Sequence, residues 1–336
     1  MGTYNSISIA LVADADRKMD DLCLLKRMSL DSRIIAATSL LNLIYVITED
    51  SDTVSIYFCC PPYKLKGTVP IPEMNPTDVA TSYADVCVYL LDKNMCIWRI
   101  HRNLKKTNYP LDVSPGDVLK SMSITKKGVI VVVQNENKMM MFNPVTKETK
   151  HVSLEGVFED GVSILHATEI GENRLLACHN TQTFLCEYDF ERSKVCHSMN
   201  HGGQHITLKN SGCAIIADKI GHRVWTLDVE KWQIKGKRHE INNPTHVHYA
   251  MDNGLLFVVR SSMDPCITTA TNYLDVYSFD ELDRQGHLAD PESETRRQQQ
   301  SEAAMSKSDV RQSETCKKLA DSNIDDVRML FESLST

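Results

Sequence analysis

Between residues 34 and 280 the chain repeats one hydrophobic pattern, most clearly from His205 to Asp228. Ile206 and Leu208 alternate with polar neighbours, and Ala214-Ile215-Ile216-Ala217 is apolar without a break. After a Lys-Ile-Gly-His turn, Val224-Trp225-Thr226-Leu227 follows. The spacing predicts three short antiparallel strands. The middle strand is apolar on both faces, so it needs a neighbouring sheet on each side, which a single hairpin unit cannot supply. Matching apolar runs begin at Ile44, Val88, Ile130, Leu175, Ala214 and Leu255, roughly 39 to 45 residues apart. Each is followed by a strand that reaches an aromatic residue: Tyr57, Trp98, Phe142, Tyr188, Trp225 and Tyr277. That period belongs to propeller blades, and the pattern predicts an all-β fold: a six-bladed β-propeller of four-stranded antiparallel blades.

The blades are expected at about 34–70, 76–112, 119–154, 162–198, 204–239 and 245–280. Residues 1–33 hold two further apolar stretches, Ser6 to Val12 and Leu22 to Leu30. The last blade runs out of chain after Phe279, so one of these should close the ring as its outer strand, with Leu22 to Leu30 the better spaced. Residues 281–321 are rich in Gln, Ser, Glu, Arg and Lys and have no face to bury, which predicts a disordered polar tail. In residues 322–336, Ile324, Val327, Leu330/Phe331 and Leu334 fall on one side of a possible amphipathic helix, suited to resting on the ring or docking in a partner's groove.

The formal charge is −7, but residues 281–336 hold twelve of the 44 acidic and eight of the 37 basic residues. The ring, with 32 against 29, is near neutral. That is a poor footprint for nucleic acid. Arg102, Lys105 and Lys106 form the densest basic group and read as a charged, protected sheet edge. The eleven cysteines are odd in number and scattered through apolar strands, with no CxxC, as in a reducing compartment. No leader and no apolar run of about 18 residues is apparent, so a cytoplasmic protein without membrane spans is expected. Met139-Met140-Met141 reads as packing material between blades.

The segment Ala217-Asp218-Lys219-Ile220-Gly221-His222-Arg223-Val224-Trp225-Thr226-Leu227-Asp228 resembles the second half of an NHL repeat. Pro76-Thr77-Asp78-Val79-Ala80, with Tyr89 to Asp92 downstream, resembles its first half. The other four units share only the hydrophobic pattern. No Trp-Asp dipeptide closes a blade and no Gly-Gly doublet recurs, which demotes WD-repeat and kelch rings. The resemblance implies a non-catalytic interaction scaffold that presents a loop face to a protein partner. The channel-mouth loops and the connection Ser261 to Asn272 are the expected contact regions. It also implies that some rings bind RNA, against which the near-neutral charge speaks. Many NHL proteins carry RING, B-box and coiled-coil segments ahead of the ring; 33 residues leave no room for them, and ligase activity is not expected.

One constellation offers chemistry. Aligned by their middle strands, three consecutive blades begin the innermost strand with His166, His205 and His246. Asp78 takes the same position in blade two if one hairpin residue is inserted, and Ser121 takes it in blade three. Imidazoles with a carboxylate are the ligands of a catalytic zinc, and some NHL-like enzymes, the peptidyl-hydroxyglycine lyases, hold zinc with blade-start histidines. This sets up a metal-dependent alternative, a lyase or lactonase using zinc or calcium. Against it, each histidine directly precedes the apolar strand residue, which turns it to the other face of the strand. The favoured expectation is therefore no cofactor, with three half-buried histidines satisfied by backbone carbonyls and water. His222 belongs to the His-Arg turn and is expected to serve the blade corner. GxSxG, GxxxxGK, HExxH and GxGxxG are absent. Gly202-Gly203 reads as a turn.

Overall fold

The computed structural model describes residues 22–279, apart from 31, 50, 115, 136, 155–162, 180–184, 190–191, 193 and 262–271. The stretch Ser6 to Val12, the polar tail, the terminal helix and most of the Ser261 to Asn272 connection lie outside the described residues.

Twenty-four strands form six antiparallel sheets of four, each a blade. The first strand, β1 (Cys23–Ser29), belongs to the last blade. Blade one is β2 (Ile34–Leu40), β3 (Leu43–Thr48), β4 (Thr53–Phe58) and β5 (Leu65–Pro70). Blade two is β6 (Pro76–Ser82), β7 (Cys87–Asp92), β8 (Cys96–Ile100) and β9 (Lys106–Pro110), and blade three is β10 (Leu119–Ile124), β11 (Ile130–Gln134), β12 (Lys138–Phe142) and β13 (Thr149–Ser153). Blade four is β14 (Ile164–Gly171), β15 (Arg174–His179), β16 (Leu185–Asp189) and β17 (Lys194–Met199), and blade five is β18 (His205–Asn210), β19 (Cys213–Asp218), β20 (Arg223–Asp228) and β21 (Gln233–Glu240). Blade six consists of β22 (Pro244–Tyr249), β23 (Leu256–Ser261) and β24 (Asn272–Ser278), with β1 as its outer strand. No helix occurs among the described residues, so none is long and apolar enough to cross a membrane.

Each second strand shows why the ring is needed. Along β11, Ile130 and Val132 pack into the interface with blade two while Val131 and Val133 pack into the interface with blade four. Along β19, Ala214 and Ile216 face blade four and Ile215 and Ala217 face blade six. The two-residue side-chain period thus feeds two separate cores, and six hydrophobic clusters fill the six gaps between blades. Met139 and Met140 are fully buried on opposite sides of β12, in the clusters toward blades four and two.

Closure is polar as well as apolar. β1 pairs with β24, and Arg27 donates to Asp275 from Nε (2.9 Å) and Nη2 (3.2 Å). Asp275, fully buried, also accepts from Arg260 Nε at 2.7 Å and from the Tyr277 hydroxyl at 3.3 Å. Of the two N-terminal stretches, Leu22 to Leu30 therefore closes the ring.

The blade corners explain the motif of blade five. Asp218 ends β19, buried, and accepts Gly221 N–H (2.8 Å) and Arg223 Nε (2.8 Å), holding the turn into β20. His222 takes the left-handed conformation (φ 50°), and its Nδ1 accepts Asn243 N–H at 3.3 Å, tying the corner to the chain that enters blade six. Asp92 occupies the equivalent end of β7 and accepts Asn75 N–H, Asn94 N–H and Trp98 Nε1–H. Arg102 and Lys105 lie exposed in the loop before the outer strand β9, and Lys106 caps Pro70 O of blade one at 2.7 Å, so the basic group sits at a sheet edge.

Candidate functional site

The innermost strands β2, β6, β10, β14, β18 and β22 line the channel, and each begins with an irregularity. In five of them two residues oppose one on the second strand, the register shifting just before Ala36, Asp78, Ser121, His166 and His246. In blade five, His205 pairs with Ala217, whose carbonyl also accepts Gln204 N–H. This is the same two-against-one arrangement, a β-bulge. Six equivalent positions, Ala36, Asp78, Ser121, His166, His205 and His246, thus form one layer around the axis. Asp78 pairs with Leu91 and His205 with Ala217, so the blade-two hairpin is one residue longer, as the sequence alignment required.

The residue after each histidine goes into a core: Ala167 toward blade three, Ile206 toward blade four and Val247 toward blade five. The histidine itself turns the other way, and the other way is the channel. The bulged start aims that opposite face at the axis, where His166, His205 and His246 line the cavity. The His166 and His205 rings lie 3.8 Å apart between centroids, as do those of His205 and His246. Asp78 Oδ1 is 3.3 Å from His246 Nε2, without the alignment of a hydrogen bond. Donor atoms of Asp78, His205 and His246 lie within 4.8 Å of one another. Blades two and five are opposite in a ring of six, so this grouping spans the channel.

Backbone groups of Met122 and Val247 reach His166 and His205. Neither contact is well aligned, and none of the six ring nitrogens of His166, His205 and His246 makes a hydrogen bond of good geometry. Asp78 is anchored: Oδ1 accepts Val79 N–H at 2.8 Å and Oδ2 accepts Met122 N–H at 2.7 Å. Ser121 turns its hydroxyl to Leu165 O at 2.7 Å, so it is spent on holding blades three and four together. Burial lowers the pKa of His166 to about 4, with Asp78 opposing the shift and His246 adding to it. Burial drives His205 further down, helped by repulsion from His166, His246 and His248. Burial thus favours the uncharged form of the His166 and His205 rings.

Sequence reasoning missed the next layer. His248 follows His246 by two residues and so faces the same side of β22, the signal being the His-Val-His alternation itself. Its Nε2 lies 3.0 Å from Ser39 Oγ and its Nδ1 3.3 Å from Thr38 Oγ1, which in turn bonds Thr81 Oγ1 at 2.7 Å. Burial takes its pKa to about 3. Above the histidines opens a cavity of about 300 Å³, with Val79, Met122, Ile206 and Val247 among its walls. Exposed Tyr83, Lys126 and Met251 stand at its mouth, on the loops that join first to second strands. Gly203 fixes the approach to His205: a Cβ there would lie 2.8 Å from Ile216 Cγ2 and 3.1 Å from Cys178 Cβ. It therefore serves close packing between blades beyond the turn expected of it.

No family model matches the sequence, and no curated protein matches it. Solved structures do. The WD40 propeller domain of Doa1 superposes with a TM-score of 0.57 at 12% identity, covering 79% of this chain and 99% of that one. The β-propeller domain of Myceliophteria thermophila Cps50 (Swd1) gives 0.55 at 8%, covering 77% and 99%. A streptogramin B lyase gives 0.51 at 9%, covering 76% and 98%. At such identities the likeness bears on architecture alone, and with the strand order above it makes this chain a β-propeller of six four-stranded blades, closed by its N-terminal strand.

Proposed function

We propose that the chain is a protein-interaction scaffold of NHL type, working through the face onto which the channel cavity opens. In an antiparallel blade the connections between first and second strands and between third and fourth leave from one face, and the remaining connections from the other. Nine large apolar side chains are exposed among the described residues. Leu41, Leu65, Tyr83, Leu104, Val145 and Met251 lie at connections of the first kind, whereas Val118 and Ile220 lie on the opposite face. This one-sided distribution carries the reading, since apolar side chains gathered on one face mark interaction surfaces. Leu41 adds to it: an exposed leucine holds a left-handed conformation (φ 51°) that favours Gly or Asn. The NHL assignment is supported by Asp218, Gly221 and Arg223, which work together at the corner of blade five, and by Asp92 at the same corner of blade two. The test is affinity capture with the full chain, its Leu41→Glu/Met251→Glu variant and its Val118→Glu/Ile220→Glu variant. Partners lost with the first pair and kept with the second support the reading; an identical set from all three refutes it.

A second reading, a metal-dependent lyase or lactonase, is favoured by the convergence of Asp78, His205 and His246 beneath a cavity. One of the fold neighbours is itself a lyase. Turnover of lactones or α-hydroxyglycine compounds that His205→Ala abolishes would establish it. Absence of turnover in the metal-loaded wild type would remove it.

A further inference from the structure

We infer that Asp78, His205 and His246 form a two-histidine, one-carboxylate site for a divalent first-row transition metal on the channel axis, with an open coordination position facing the cavity.

The first ground is the orphaned nitrogens. A buried polar group without a partner carries its full desolvation cost, and proteins rarely keep one. Here three side chains on consecutive blades keep six ring nitrogens in one layer without a well-aligned hydrogen bond, the Met122 and Val247 backbone giving His166 and His205 only poor contacts. A single stranded imidazole is an accident of packing. Three of them, facing one carboxylate, are a donor set.

The second ground is spacing. Two donors about 2.0–2.1 Å from a shared tetrahedral ion lie about 3.3 Å apart along the tetrahedron's edge. Asp78 Oδ1 and His246 Nε2 are 3.3 Å apart. The full set of three spans no more than 4.8 Å, so closing on an ion requires the donors to move by about 1 Å. The third ground is rigidity. Asp78 is held by two backbone N–H groups from two blades, and Gly203 lets the strand bearing His205 press against blade four. Ligands fixed by their neighbours are what a selective site requires.

The donor chemistry selects the metal. Neutral imidazoles and one carboxylate suit zinc, iron(II) or cobalt(II), whereas calcium and magnesium take oxygen ligands. Three protein donors leave at least one position for water or an exogenous ligand. His166 stacks on His205 on the side away from His246 and lies outside the tightest trio, so it is a positioning residue or a fourth donor. The inference deepens the metal-dependent reading above and does not require partner binding, whose apolar residues stand on the loops around the cavity mouth and not among the donors.

The test uses the full chain after chelation and dialysis, titrated with Zn(II), Co(II) and Ca(II) and followed by calorimetry and by the visible spectrum of cobalt. One equivalent of zinc and of cobalt should bind with Kd below about 10 µM, with no calcium uptake. Azide, which needs an open position, should shift the cobalt bands. His205→Gln and His246→Gln should each weaken binding at least 100-fold and Asp78→Asn about 10-fold or more, while His197→Gln, on an outer strand, should leave it unchanged. Folding of each variant is checked by its melting curve without metal. The inference is overturned if the wild type binds neither metal below 1 mM, or if uptake persists undiminished in folded His205→Gln and His246→Gln. Cobalt bands indifferent to azide would overturn the open position.

Discussion

Replacing His205 by Leu should stabilise the metal-free ring, the reverse of what a buried substitution usually does. The histidine's two ring nitrogens are buried with no well-aligned hydrogen bond and only a poor contact to the Val247 backbone, at a cost of about 1–3 kcal/mol in all, and leucine fills a similar volume with no polar atom. Imperfect packing of the new side chain between His166 and His246 takes back up to about 1.5 kcal/mol. The expected net gain is about 1–2 kcal/mol, or roughly 2–8 °C in Tm for a domain of this size. Zinc should reverse the order. At a hundredfold excess over Kd it stabilises the wild type by about 2.7 kcal/mol and the variant not at all, so the two melting curves cross as metal is added. Differential scanning calorimetry of both proteins, in EDTA and in zinc, measures all four values. If His205→Leu lowers Tm in EDTA, the imidazole is a bonded core group and the reasoning from orphaned nitrogens fails.

Three further outcomes follow from the geometry. The folded state holds His166 near pKa 4 and His248 near 3, below the ordinary value of 6.5, so the unfolded chain binds more protons on acidification. Stability is full above pH 6.5 and should fall by about 2–3 kcal/mol per unit as the pH drops toward 4; a flat Tm from pH 7 to 5 would contradict those burials. Asp275→Ala strands the largely buried Arg260 and should cost about 3–5 kcal/mol, whereas Arg27→Ala, at a side chain 47% exposed, should cost about 1 kcal/mol or less by urea denaturation. Gly203→Ala must displace Ile216 or Cys178 and should cost about 1–3 kcal/mol while loosening zinc binding by moving β18; equal stability and affinity would show that the blades yield there.

The architecture was legible because the second strands leave no choice. Runs such as Ile130 to Val133 are apolar on both faces, and their recurrence at one period fixes six blades and nearly all their limits. The blade-start histidines were legible as an alignment, and so was the extra hairpin residue that brings Asp78 into line. What the sequence hid was the bulge, since a residue added to one strand alters no hydrophobic pattern and yet decides which face meets the axis. His248 was readable in principle from its two-residue offset. Its partner Ser39 was not, because blades one and six meet only by closing the ring, and no local pattern reports which side chains then touch.

The clasp of β1 on β24 also sets an order of events during synthesis. Arg27 and Asp275 are 248 residues apart, so at about 5–20 residues per second the first strand waits some 12–50 s for its partner to leave the ribosome. Through that interval blade six has no outer strand and the ring no closure, while β1 offers an unpaired edge to any passing chain. The pattern of β1 suits the wait: four of its seven residues remain exposed even when docked, and only Met28 is buried. A strand that gains little from apolar burial is slow to find wrong partners, and it is committed at the end by an ion pair that only Asp275 supplies.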